Sequence, residues 1–79
     1  MIRLRNIHRD NGKIICDAFV EDSNEVIKLA FDESTEKLQQ YSLPAGYEWC
    51  DSHIAHAVRF FRSIIGKPIE SDERNIMWY

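Results

Sequence analysis

The sequence predicts an α+β fold, a two-layer sandwich in which one amphipathic helix packs on one face of a mainly antiparallel sheet. An Asn-Gly pair between two runs of strand composition indicates an N-terminal hairpin. A single stretch of helical periodicity, flanked by further short strand-like runs, gives the element order β-β-β-β-α-β. With 79 residues, the chain is expected to form a single small domain over residues 1–79.

The first two strands are predicted at 2–9 and 13–20, on either side of Asn11-Gly12. Asn and Gly accept the two positive φ angles of a type I′ turn. A two-residue loop predicts three pairs across the hairpin: Arg9 with Ile14, Ile7 with Cys16, and Leu4 with Phe19.

The pattern alone leaves open which face of this hairpin is buried, because charged residues share both faces with apolar ones. One alternative places a bulge near Asn6, which brings Ile2, Leu4 and Ile7 to the same side.

A third strand is predicted over 25–32, with Ile27, Leu29 and Phe31 pointing inward. A weaker run over 37–43 is interpreted as a short edge strand. The apolar run at 75–79 is predicted to join the sheet, since it would otherwise be exposed.

The helix is predicted from Asp51 or Ser52 to Ile65, with one of the first two side chains capping the free N–H groups. Gly66 suits a left-handed C-terminal cap, and Pro68 prevents continuation. The apolar stripe that faces the sheet consists of Ile54, Ala57, Val58, Phe61, Ile64 and Ile65.

Composition bears on compartment and partners. The net charge of −3 disfavours non-specific nucleic-acid binding, which depends on phosphate neutralisation. No apolar run approaches the length of a membrane span, and Met1-Ile-Arg-Leu-Arg5 lacks the apolar core of a signal peptide. We therefore expect a cytoplasmic protein with no membrane contact, in which Cys16 and Cys50 stay reduced.

The segment Tyr41-Ser-Leu-Pro-Ala-Gly-Tyr-Glu-Trp-Cys50, the helix with His53 and His56, and the terminal Ile76-Met-Trp-Tyr79 resemble a group of short bacterial proteins of uncharacterised function. The likeness includes Ile15-Cys16-Asp17 and covers most of the chain loosely. It implies a bacterial cytoplasmic setting and transfers no catalytic or binding residues.

Cys50, His53 and His56 are the densest group of possible ligands or nucleophiles. Positions three and six apart on a helix are turned by about 300° and 600° around its axis, so the three do not share a face. Cys50 ahead of a helix N-terminus, with His53 as base, is the thiol alternative, but only Asp51 offers an orienting carboxylate. A small thiol or metal enzyme is therefore the third hypothesis, and we expect no cofactor and no metal.

The second hypothesis is a nucleic-acid-associated protein that uses arginines on the first strand and on the helix. Acidic turns at 21–25, 32–36 and 70–73 oppose phosphate wherever they approach it. The four arginines in question are Arg3, Arg5, Arg59 and Arg62.

The leading hypothesis is a non-enzymatic interaction or accessory module that contacts another protein or a second copy of itself. The mechanism is strand addition at an edge, or an apolar patch on the helix flank. The candidate interaction surface consists of His53, Phe60, Trp78 and Tyr79.

Overall fold

The computed structural model describes residues 1–78, so Tyr79 lies outside the described residues. It confirms the predicted class, since one helix packs on a five-stranded antiparallel sheet of order β4-β3-β2-β1-β5. The element bounds are β1 Ile2–Asp10, β2 Lys13–Val20, β3 Ile27–Asp32, β4 Lys37–Leu38, α1 Asp51–Ser63 and β5 Arg74–Ile76.

The turn between β1 and β2 has the predicted chemistry. Asn11 and Gly12 have φ values of 52° and 76°, and Arg9 pairs with Ile14 as expected for a two-residue loop. The same register continues to His8, which pairs with Ile15. It then shifts by one residue, so that Arg5 pairs with Asp17.

This shift is a bulge at Asn6, whose φ of 55° takes it out of the extended conformation. The predicted pairing of Leu4 with Phe19 is therefore wrong, because the extra residue moves Leu4 opposite Ala18. The predicted pairing of Ile7 with Cys16 falls inside the irregular region.

The bulge decides which face of the hairpin is buried. With Asn6 extruded and exposed, Ile2, Leu4 and Ile7 all lie on the helix side of β1 and are buried. The side chains of β2 and β3 that face the helix continue this layer, and the predicted inward set of β3 is confirmed. They are Ile14, Cys16, Ala18, Val20, Ile27, Leu29 and Phe31.

Three predicted strand bounds are wrong at their ends. β3 begins at Ile27, because the chain before it is held in a turn by the hydrogen bond from the Glu25 backbone N–H to Ser23 Oγ. β4 stops at Leu38, since the chain must leave the sheet edge to reach the start of α1. β5 covers Arg74–Ile76, and Trp78 leaves the strand to pack against the helix.

The helix packs on the sheet through Ile54, Ala57 and Phe61, which are buried, and the Phe61 ring lies 5.5 Å from that of Phe31. The predicted capping by Asp51 or Ser52 is wrong. Cys50 occupies the N-cap position and makes no side-chain cap hydrogen bond, so the cap relies on its backbone carbonyl, which accepts from the His53 N–H.

The helix ends at Ser63 rather than Ile65, and Gly66 has the predicted positive φ, 72°. Arg9 fixes this end by donating to the Ile64 carbonyl at 2.7 Å and to both carboxylate oxygens of Glu33 at 2.8 and 3.1 Å. Glu33 in turn accepts from the Gly66 N–H at 3.3 Å. Sheet, turn and helix therefore share one polar cluster at the C-terminal end of α1.

Candidate functional site

The opposite end of the molecule carries the exposed apolar side chains. Among residues 1–78, the large hydrophobic residues that are exposed are Val26, Trp49 and Met77, at 47, 63 and 65% of their full accessible surface. Each lies within two residues of the end of a regular element: Val26 precedes β3, Trp49 comes two residues before α1, and Met77 follows β5.

Strand pairing and one helix contact bring these three positions to the same end. Ile2 pairs with both Val20 and Ile76, so β1 starts where β2 and β5 finish. α1 starts at this end too, because His53 in its first turn contacts Glu21, the residue after β2. We call residues 21–26, 47–53 and 76–78 the aromatic end.

A continuous series of rings crosses the aromatic end. Tyr47 stacks on Trp49 with centroids 6.5 Å apart, and Trp49 meets the edge of His53 at 5.5 Å. His53 meets Trp78 edge-on at 4.7 Å, and His56 stacks on Trp78 at 4.0 Å with an interplanar angle of 11°. The chain segments before and after the helix are thus joined through aromatic contacts rather than through the sheet.

Two hydrogen bonds hold the exposed members of this series in place. The Trp49 indole N–H donates to the Gly46 carbonyl at 3.1 Å, and the Tyr47 hydroxyl donates to Asp22 Oδ1 at 2.6 Å. The Asp22 contact raises the pKa of Tyr47, since the phenolic proton is held in this bond.

His53 is buried beneath this surface and contacts the rings of Trp49 and Trp78. The residue is 4% exposed, and its Nε2 lies 2.6 Å from Glu21 Oε1, which also accepts from the Met1 amino group at 2.9 Å. The Nδ1 atom is buried without a hydrogen-bond partner. Because the imidazole is enclosed by rings and carboxylate, it fixes the helix start and offers no open position to a ligand.

Cys50 sits one turn before His53 and is fully buried. Burial, helped by the Glu21 charge, raises the pKa of its thiol, which opposes formation of the nucleophilic thiolate. Glu21 is the carboxylate that sequence reasoning missed beside this cysteine and histidine, but it binds Nε2 while Nδ1 has no thiol partner. The geometry does not assemble a cysteine–histidine nucleophile.

The possible ligands Cys50, His53 and His56 do not converge on a point. His56 is half-buried and stacks on Trp78. Within residues 1–78, no three His, Cys, Asp or Glu side chains are placed to hold a metal ion. The two cysteines, Cys16 and Cys50, are free and buried.

The four arginines of the nucleic-acid hypothesis lie in different layers. Arg3 and Arg5 belong to β1 and project from the sheet face opposite the helix, since the alternate residues of β1 are the buried ones. Arg59 and Arg62 are exposed on α1, where Arg62 approaches Glu36 at 3.6 Å. The structure therefore does not bring the four together on one surface.

No family model, curated protein or solved structure matches this chain. The aromatic end must therefore be interpreted from its own chemistry. No helix within residues 1–78 combines the length and apolar character needed to cross a membrane.

The structure brings together part of the predicted interaction surface. Trp78 contacts His53 directly, whereas Phe60 lies further along the helix, partly buried beneath the Arg74 guanidinium at 4.8 Å from its centroid. Tyr79 lies outside the described residues. The prediction missed Trp49 and Met77 as surface residues, and the available signal was their position within two residues of an element end.

Proposed function

We propose that this chain is a non-enzymatic protein-binding module whose aromatic end takes a short segment of another protein. One observation carries the proposal: the exposed large apolar residues among residues 1–78 share one end of the fold, together with a preformed series of rings. Tryptophan and tyrosine at a surface are typical of binding hot spots, since they combine large apolar area with a polar atom.

The exposed Trp49 ring and the half-buried Tyr47 ring are already ordered, which favours binding. Trp49 and Tyr47 each use their polar atom in a hydrogen bond to a nearby loop, so little side-chain freedom remains to be lost. A partner segment that covers Trp49 and Met77 gains apolar burial at about 25 cal/mol per Å² without first organising the surface. The expected contact is small, as for a transient peptide interface.

The enzyme hypothesis receives no comparable support, because Cys50 and His53 are both buried. The nucleic-acid hypothesis requires the arginines to share one surface, and it is weakened because Arg3 lies on β1 whereas Arg59 lies on α1. Strand addition at the β5 edge remains compatible with the proposal, since Ile76 leads directly into Met77.

A displayed library of random dodecapeptides tests the proposal. Selection on the folded wild-type chain is expected to enrich peptides that bind it with micromolar affinity. Trp49→Ala is expected to weaken their binding at least about tenfold, the loss typical of a hot-spot tryptophan. Ile15→Ala, which also truncates a large apolar side chain but on the sheet face away from the helix and far from the aromatic end, is the control and should leave binding unchanged.

Two results would overturn the proposal. One is selection that enriches no peptide although circular dichroism shows the chain to be folded. The other is a set of binders that depend on Ile15 and not on Trp49. Analytical ultracentrifugation of the free chain tests for self-association. A stable dimer that dissociates when Trp49 is replaced by alanine would show that the surface binds a second copy of the chain instead.

A further inference from the structure

We infer that the segment bound at the aromatic end is cationic, with lysine or arginine side chains beside its apolar anchors. This inference rests on the proposed function and names the partner's chemistry. It comes from the carboxylates that occupy the same end of the molecule as the exposed apolar residues. These are Glu21, Asp22, Glu25, Glu48 and Asp51.

The charge at the aromatic end is not neutralised locally. The ranges that define the aromatic end contain no lysine or arginine, and within residues 1–78 the cations that hydrogen-bond to them are the Met1 amino group and Arg3. Five carboxylates against these two cations leave three negative charges. Arg3 donates to the backbone carbonyls of Glu21 and Ser23 rather than to a carboxylate. The helix N-terminus adds only about half a positive charge, which is smaller than the excess.

Two of the carboxylates are open to a partner. Glu25 and Glu48 are exposed, and neither side chain makes an ion pair with another residue in the described range 1–78. Glu48 adjoins Trp49, and Glu25 adjoins Val26, so a charge lies beside each of these apolar anchors. A cationic segment that covers Val26 and Trp49 therefore meets a carboxylate that adjoins each of them in the chain.

The exposed indole also favours a cation. Trp49 presents most of its surface to solvent, and a guanidinium or ammonium group over an indole face gains about 0.5–1 kcal/mol at an exposed site. Trp78 offers less, because His56 already stacks on one of its faces. Arginine next to an aliphatic residue is thus the pairing that best matches Trp49 and Glu48.

The same charges oppose two other occupants. An anionic lipid surface and an acidic peptide would both bring negative charge against the carboxylates, and like charges in contact are unfavourable. A second copy of the aromatic end meets the same repulsion. The carboxylates therefore select among partners that the apolar residues alone would accept.

The test uses two synthetic dodecapeptides with identical apolar positions, one with arginine and lysine and the other with glutamate and aspartate at the polar positions. Their apolar pattern is taken from the peptides selected on the wild-type chain. Isothermal titration at low and at physiological salt measures both affinities. We expect the cationic peptide to bind at least about tenfold more tightly, and its affinity to fall as salt increases.

Matched charge variants locate the effect. The double variant Glu25→Gln with Glu48→Gln is expected to weaken the cationic peptide several-fold and to reduce its salt dependence. The control, Glu70→Gln with Glu73→Gln, removes the same charge from the loop before β5 and should leave the affinity unchanged.

The outcomes separate this inference from the proposed function. If both peptides bind equally and both lose affinity on Trp49→Ala, the binding surface stands and the cationic preference is wrong. If the acidic peptide binds better, the preference is again wrong. If neither selected nor designed peptides bind the folded chain, the proposed function itself fails.

Discussion

At the scale of single residues, Asn6 determines how the hairpin is used. Its positive φ inserts one residue into β1, so that Ile7 joins Ile2 and Leu4 on the helix side. Before the bulge, Arg3 and Arg5 project from the sheet face opposite the helix. After it, Arg9 lies on the helix side and donates to the Ile64 carbonyl. One left-handed residue thus separates arginines that simple alternation places on a single face.

Substitution of Asn6 tests this role. Asn6→Gly should be close to neutral, since glycine accepts the left-handed conformation. Asn6→Val should reduce the free energy of unfolding by about 1–2 kcal/mol, because a β-branched side chain is strained there. Urea denaturation of both variants measures the difference, and equal stability of the two would contradict the bulge.

Cys16 is a second residue with a measurable consequence. Burial, with a smaller contribution from the Asp17 charge, raises the pKa of its thiol from 9.0 to about 12. The unfolded thiol ionises near its ordinary pKa while the native thiol stays protonated. Stability that depends on Cys16 is therefore complete below pH 9.0 and is lost as the pH rises toward 12.

We expect the wild-type chain to lose more stability between about pH 8 and about pH 10.5 than Cys16→Ala does. The variant will be less stable at both pH values, because it leaves a small cavity in the core. The test is therefore the difference between the two slopes, measured by urea denaturation. Parallel slopes would show that the native thiol ionises normally.

At the scale of elements, local sequence patterns predict the turns and the buried faces of strands. Asn11-Gly12 gives the hairpin, and the alternation of Ile27, Leu29 and Phe31 gives the buried face of β3. The ends of elements are less predictable, since they depend on distant contacts. β5 ends at Ile76 because Trp78 packs on the helix, which no local pattern contains.

The polar cluster at the C-terminal end of α1 is another contact that local patterns do not contain. Arg9 and Glu33 are 24 residues apart, and they meet only once the sheet and the helix are assembled. The Arg9 hydrogen bond holds the pKa of the Glu33 carboxyl below its ordinary value. The stabilisation is therefore present above pH 4.5 and is lost as the pH falls through the lowered pKa.

Glu33→Gln should reduce the free energy of unfolding by about 1–2 kcal/mol at neutral pH, because it removes a charge-assisted pair and weakens the contact with Gly66. Glu36→Gln is the control. Its pairing with Arg62 is longer and solvent-exposed, so the expected change is under about 0.5 kcal/mol. Equal losses in chemical denaturation would contradict a special role for Glu33.

At the scale of the whole molecule, the two ends of the helix have different roles. The C-terminal end is closed by Arg9 and Glu33, whereas the N-terminal end exposes Trp49 and Met77. At that end Glu25 and Glu48 make no ion pair within residues 1–78. Sequence reasoning located aromatic residues as interaction candidates but placed the surface on the helix flank. It could not find the aromatic end, because that surface exists only where three element boundaries meet.

The most direct test of this account is nuclear magnetic resonance of the 15N-labelled chain titrated with a peptide selected on the wild type. We expect amide shifts to concentrate in residues 21–26, 47–53 and 76–78, with the Trp49 indole signal among the largest. Shifts that instead map to Arg5, Ile15 and Ala30 on the opposite sheet face, with the Trp49 signal unmoved, would contradict the proposed surface.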